Sequence, residues 1–139
     1  MNAHNEALAR DSLKMTDTQR DIFASLTDDI VFTYPRWGTA RGKEELGKFY
    51  QDIGAYVQAI SHDPDTFNCL SNNGCVFIEG RSFGQLVDGA SWPATGVSGD
   101  RFCQFLQIPR RLNSELCVYI DPDYADQTAE FYPWTPIEK

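Results

Sequence analysis

Three observations predict an α+β fold with helices against one face of a curved, mainly antiparallel sheet. Helical periodicity opens the chain, one strand and a long amphipathic helix follow, and the rest alternates with period two. The length, 139 residues, suits one domain with a buried core. With 42% hydrophobic and 13% aromatic residues, the material for that core is present and wholesale disorder is excluded.

Residues 3–14 have the pattern of a first amphipathic helix. Thr16-Asp17-Thr18-Gln19 then has the form of a capping box, so a second helix is expected to bury Ile22, Phe23 and Leu26 and to end at Asp28-Asp29. The segment IVFTY reads as a strand stopped by Pro35. Beyond the loop RWGTARG, the residues Leu46, Phe49, Tyr50, Ile53, Val57 and Ile60 recur at intervals of three and four. They predict one continuous helical face, with Glu44 and Glu45 favourably placed at its N-terminus. Pro64 is expected to end the connection that follows.

A short strand near 66–70 leads to Asn72-Asn73-Gly74, a hairpin-turn signal. CVFIEGRSFGQLV reads as a long strand, in which Gly80 and Gly84 suggest a bend or bulge. After the loop 88–99 come RFCQFLQI, a turn at PRRLN with Arg110 and Arg111 at its solvated tip, and SELCVYID. Residues 123–139, rich in aromatics and proline, are expected to wrap the body as a tail. No repeat or linker divides 1–139, whose core is expected over 20–122.

Charge and cysteine usage narrow the function classes. Twelve basic against 20 acidic side chains give a net charge of −8. This argues against nucleic acid, whose backbone is met by clustered Lys and Arg, and against an anionic membrane surface. No apolar run resembles a signal segment or a membrane span. Cys69, Cys75, Cys103 and Cys117 allow two disulfides, but they lack paired zinc spacing and lie in or beside apolar runs. Reduced thiols and a cytoplasmic protein are therefore expected. There is no phosphate-binding glycine loop and no metal cluster, so no cofactor is expected and any chemistry must come from side chains.

The segments LTDDIVFTYP, RGKEELGKFYQDI, NGCVFIEGRSF and DRFCQFLQI with ELCVYIDPDY occur in an order and spacing that resemble a SnoaL-like domain. That family belongs to the nuclear-transport-factor-2-like superfamily, which includes ketosteroid isomerase, polyketide cyclases, limonene-epoxide hydrolase and scytalone dehydratase. The resemblance spans about residues 20–122. It implies a cone-shaped sheet, an apolar pocket between its concave face and the helices, and often a homodimer. Fold alone does not fix function, because the superfamily mixes enzymes with binding modules.

By position, Asp121 matches the family carboxylate that ends the final strand, and Tyr119 matches a pocket residue two positions before it. Phe32 and Tyr34 match pocket positions on the first strand. Strand alternation groups Cys117, Tyr119 and Asp121 on one face and Leu116, Val118 and Ile120 on the other. One register of the final hairpin sets Asp100 near Asp121, Phe102 near Tyr119 and Gln104 near Cys117; a slip of one residue breaks this grouping. In the first register the apolar stripe of Leu116, Val118 and Ile120 lies on the convex face and suggests a dimer interface.

By analogy with ketosteroid isomerase, where a carboxylic acid kept neutral donates a hydrogen bond, Asp121 is expected as general acid/base. Asp100 or Tyr34 would then stabilise a developing enolate oxygen. Asp121 also suits a turn cap before Pro122, and Asp100 a solvated turn. Phe32, Trp37, Tyr50, Phe102, Gln104 and Tyr119 complete the expected substrate contacts. Trp37 sits beside Arg36 in a loop that could rim the mouth or simply be surface, and Trp92 could act as a lid or anchor its loop. Gly80 and Ser82 stand where the similar epoxide hydrolases carry Arg and Asp, so their Asp–Arg–Asp mechanism is not expected. His62, in a Ser-His-Asp run, is expected at the surface, which leaves a dehydratase-type His–Asp pair hard to assemble.

Two readings follow. One is a cofactor-free isomerase, cyclase or dehydratase acting on a hydrophobic polyketide, steroid or terpenoid. The other is a non-catalytic small-molecule-binding or dimerisation domain on the same fold.

Overall fold

The computed structural model describes residues 2–93, 99–121 and 123. Helix α1 spans Asn2–Asp17 and a 3-10 turn spans Ile22–Ser25; strand β1 is Leu26–Tyr34, β2 is Gly38–Arg41 and helix α2 is Gly42–Gly54. The remaining strands are β3 (Val57–Asn72), β4 (Cys75–Leu86), β5 (Ser91–Trp92), β6 (Arg101–Gln107) and β7 (Asn113–Ile120). They form one seven-stranded sheet in the order β2-β1-β7-β6-β4-β3, with β5 added beside the far end of β4. The β1–β7 pairing is parallel and the other pairings are antiparallel, so the sheet is mixed and the fold is α+β. The expected tail, 123–139, lies outside the described residues except for Asp123, as does part of the loop before β6.

Several element boundaries differ from the pattern of the sequence, each for a local reason. The Thr16–Gln19 box does not start a helix. The hydroxyls of Thr16 and Thr18 donate back to the Ser12 and Lys14 carbonyls, so this segment closes α1. The expected second helix shrinks to the 3-10 turn, capped where Asp21 Oδ1 accepts from the Phe23 amide, and Asp28 and Asp29 belong to β1. Helix α2 ends at Gly54, and Val57 and Ile60 begin β3. A bulge between Val57 and Ala59 breaks period-two alternation there, which let these residues continue the helical spacing. Pro64 does not end an element either. It sits inside β3, the edge strand, at a second bulge where Asp63 accepts from the Asp65 amide and the Thr66 hydroxyl.

The turn at Asn73-Gly74 has positive φ at both residues, 48° and 82°, as a tight hairpin requires. The register shifts between β3 and β4 lie opposite Gly80 and beside Gly84 with the extra residues on β3, while β4 keeps an unbroken register with β6 over 75–81. The two glycines allow close approach: a Cβ at Gly80 would stand 2.6 Å from the Phe67 ring, and one at Gly84 would overlap the Ala59 carbonyl and the Trp92 ring.

The final hairpin takes the register that breaks the expected grouping. Phe102 pairs with Ile120, Gln104 with Val118 and Leu106 with Leu116. Leu116, Val118 and Ile120 therefore face inward with Phe102 and Gln104, and the expected convex apolar stripe is corrected to an inner one. Cys117, Tyr119 and Asp121 fall on the outer face. This register places three branched aliphatic side chains in the interior, while Tyr119, which tolerates water at its hydroxyl, stays 57% exposed. The core joins Leu26, Ile30 and Phe32 of β1, Val76 and Ile78 of β4, and Leu46 and Phe49 of α2, with Ala9 and Leu13 of α1 covering the β3–β4 side.

Candidate functional site

The sheet and helices enclose a cavity of about 880 Å³, within the range of small-molecule sites. Its walls come from the inward faces of β1, β6 and β7, from α2, from the end of α1 and from the start of β3. One wall is aromatic. Phe49 lies 4.7 Å from Phe32, 4.9 Å from Tyr34 and 5.3 Å from Tyr50, ring centre to ring centre. Such tilted and edge contacts form a continuous surface suited to a flat apolar molecule. Burial among Phe23, Phe32 and Phe49 pushes the Tyr50 phenol well above its ordinary pKa, so it remains a hydrogen-bond donor rather than a phenolate.

A polar pair stands at the other end. His62 of β3 lines the cavity with its side chain only 6% exposed. Its Nδ1 lies 2.6 Å from Oδ1 of Asp17, and its backbone N–H donates to Oδ2 of the same carboxylate at 2.8 Å. A carboxylate only accepts, so Nδ1 carries a proton, and in the neutral ring Nε2 is the nitrogen with the lone pair. The edge of the ring packs against Phe102 with centres 4.8 Å apart, which fixes its plane. Nearby, Ser82 Oγ accepts from the Trp92 indole N–H at 3.1 Å. Trp92 is buried against Leu86 and so anchors its segment from inside.

The structure divides the expected site residues. Phe32, Tyr34, Tyr50, Phe102 and Gln104 line the cavity. Trp37 does not; it packs behind Phe49 with its indole N–H donating to Asp52 at 3.0 Å. Tyr119 and Asp121 lie on the outer side of the sheet, where Asp121 Oδ1 accepts from the Asp123 amide in a local turn. Asp100 is buried but does not line the cavity, because its Oδ2 is paired with Arg81 Nη1 at 2.9 Å. Asp100 and Asp121 are not brought together, since the register separates them.

Sequence reasoning placed His62 at the surface, and the structure corrects this. The available signal was its spacing from Ile60: two residues apart on an extended strand share a face. Pro64 concealed the strand, and no local pattern could indicate Asp17, which lies 45 positions away. Among the described residues no group of three potential ligands could hold a metal ion. No helix there is long and apolar enough to cross a membrane.

The open mixed sheet, the covering helices and the cavity between them define the nuclear-transport-factor-2-like fold, as the resemblance implied. No protein-family model matches the chain, and no curated protein matches it. Solved structures do. A nuclear-transport-factor-2-like protein of unknown function from Burkholderia pseudomallei superposes with a TM-score of 0.75 at 16% identity, over 89% of this chain and 95% of that one. TerC, co-crystallised with polyporic acid, gives a TM-score of 0.72 at 10% identity over 89% and 99% of the two chains. An epoxide hydrolase of Mycobacterium tuberculosis resembling limonene-epoxide hydrolase gives 0.67 at 12% identity over 89% and 87%. At such identities the likeness establishes the fold, and the chemistry must be read from this chain's own residues.

Proposed function

We propose that the protein is a cofactor-independent acid/base enzyme acting on a flat, hydrophobic small molecule, with His62 as the base and Asp17 as its orienting partner. The observation that carries this reading is the His62–Asp17 pair at the end of an aromatic cavity. Asp17 holds Nδ1 and the backbone, so Nε2 is the nitrogen available to a substrate. It would take a proton from a carbon beside a carbonyl and return it elsewhere, which is isomerisation or cyclisation, or deliver it to a departing hydroxyl, which is dehydration. Tyr34 and Tyr50 line the aromatic wall away from the base, where their phenols face other parts of the ligand. Asp100 and Asp121 are not assigned this chemistry, because neither lines the cavity.

Two of the neighbours lend support to a small-molecule ligand. One was crystallised with polyporic acid and another is an epoxide hydrolase. The four free thiols suit a reducing compartment, and we place the protein in the cytoplasm on that ground. We also assign a homodimer, through the outer sheet face carrying Phe77, Phe105 and Tyr119.

The test uses 2-tetralone, a small aromatic ketone, in deuterated water with exchange of its α-protons followed by NMR. The wild-type protein is expected to accelerate exchange, and His62→Gln to abolish the acceleration while still quenching tryptophan fluorescence on binding. Binding without accelerated exchange in the wild type would instead favour a carrier or sensor, a reading that the continuous aromatic wall also accommodates.

A further inference from the structure

Gln104 is a polar side chain on an otherwise apolar stretch of the cavity wall. It lies between Ile78 and Val118 in the sheet register and is 9% exposed. Its Oε1 is closed off from solvent and has no hydrogen-bond partner among the described residues. A buried amide oxygen without a donor is costly, and such groups are usually satisfied in the functional state. Gln104 lines the cavity, and rotation of its terminal amide can present either end to a molecule there.

The register also fixes where Gln104 stands relative to the base. Along β4, Ile78 is opposite Gln104, Gly80 is opposite Phe102 and Ser82 is opposite His62. From 78 to 82 the strand advances roughly 13 Å at ~3.3 Å per residue. Because the His62 ring leans onto Phe102 at 4.8 Å, the gap between the two polar groups is on the order of 10 Å. A single ring falls short of that span, whereas three linearly fused rings cover it.

We propose that Gln104 is the specificity-determining residue of the cavity: it hydrogen-bonds a hydroxyl at the end of an elongated polycyclic ligand whose other end meets His62. This rests on the proposed small-molecule site but not on turnover, since recognition of the hydroxyl requires only binding. A ligand with the same rings and no hydroxyl leaves the amide unsatisfied and is rejected. A site built around a buried polar group discriminates in this way more strongly than an apolar one.

The experiment compares 2-hydroxyanthraquinone with anthraquinone, each titrated by quenching of tryptophan fluorescence. The wild type is expected to prefer the hydroxylated ligand by about tenfold or more. Gln104→Leu should abolish or reverse that preference, and Gln104→Met, which keeps the chain length without the amide, should do the same if the leucine variant fails to fold. Intermolecular NOEs from one bound hydroxyanthraquinone to both the His62 ring and the Gln104 side chain would support the span. An unchanged preference in the Gln104 variants, or no binding of either ligand to the wild type, overturns the proposal. If the preference holds and tetralone exchange is absent, the hydroxyl readout stands and the catalytic reading falls.

Discussion

His62 and Asp17 form a pair whose parts come from the end of α1 and from an edge strand, so the chemistry we propose for it depends on the tertiary fold holding two hydrogen bonds, of 2.6 and 2.8 Å. Asp17→Asn places an amide where a carboxylate must accept from Nδ1, and it favours the wrong tautomer. We expect tetralone exchange to fall by about 10²–10⁴-fold in this variant, with far-UV circular dichroism unchanged. Tyr50 gives a prediction about pH. Its folded-state pKa lies above the unfolded value of about 10, so the stability it confers is complete below that pH and is lost as pH rises beyond it. Denaturant midpoints should therefore decline above about pH 10, and less steeply in Tyr50→Phe. At this scale the sequence was partly legible. Phe32 and Tyr34 were singled out by resemblance and Tyr50 lay on the predicted helical face, while Phe102 and Gln104 were grouped by alternation but in the other hairpin register. His62 was missed, because its partner is remote and the proline beside it imitates a loop.

At the scale of elements, two glycines make opposite predictions. A Cβ at Gly84 of β4 would run into the Ala59 carbonyl and the Trp92 ring, so Gly84→Ala forces strands β3 and β5 apart. We expect a loss of about 1–3 kcal/mol, read as a lower denaturant midpoint. Gly47 lies inside α2, where an added Cβ would meet nothing within 4 Å, so Gly47→Ala should gain about 0.5–1 kcal/mol in the same assay. Helices and strands were legible wherever one period held without interruption, as in the body of α2, β6 and β7. Legibility failed at the start of β3, where a bulge lets Val57 and Ile60 imitate a helix, and at Asp63–Asn68, where an edge strand accommodates Pro64.

For the whole molecule, one register decides which sheet face is the cavity and which is open to a partner. Alternation alone left two hairpin registers, and the one observed turns Leu116, Val118 and Ile120 to the inner side, where they line the cavity. The outer face then carries Phe77, 47% exposed, beside Phe105 and the exposed Tyr119. An apolar row of this kind on an open sheet is the surface through which we propose self-association. Light scattering on a size-exclusion column should report a dimer for the wild type and a monomer for Phe77→Glu. A monomeric wild type would remove the assignment without affecting the cavity.

The most direct test of the acid/base assignment is the protonation pattern of His62, read from long-range ¹⁵N–¹H correlations near neutral pH. The expected result is a proton on Nδ1 and an unprotonated Nε2, with the pattern lost in Asp17→Asn. A proton on Nε2 in the wild type, or a pattern indifferent to Asp17, would contradict His62 as the base held ready for substrate.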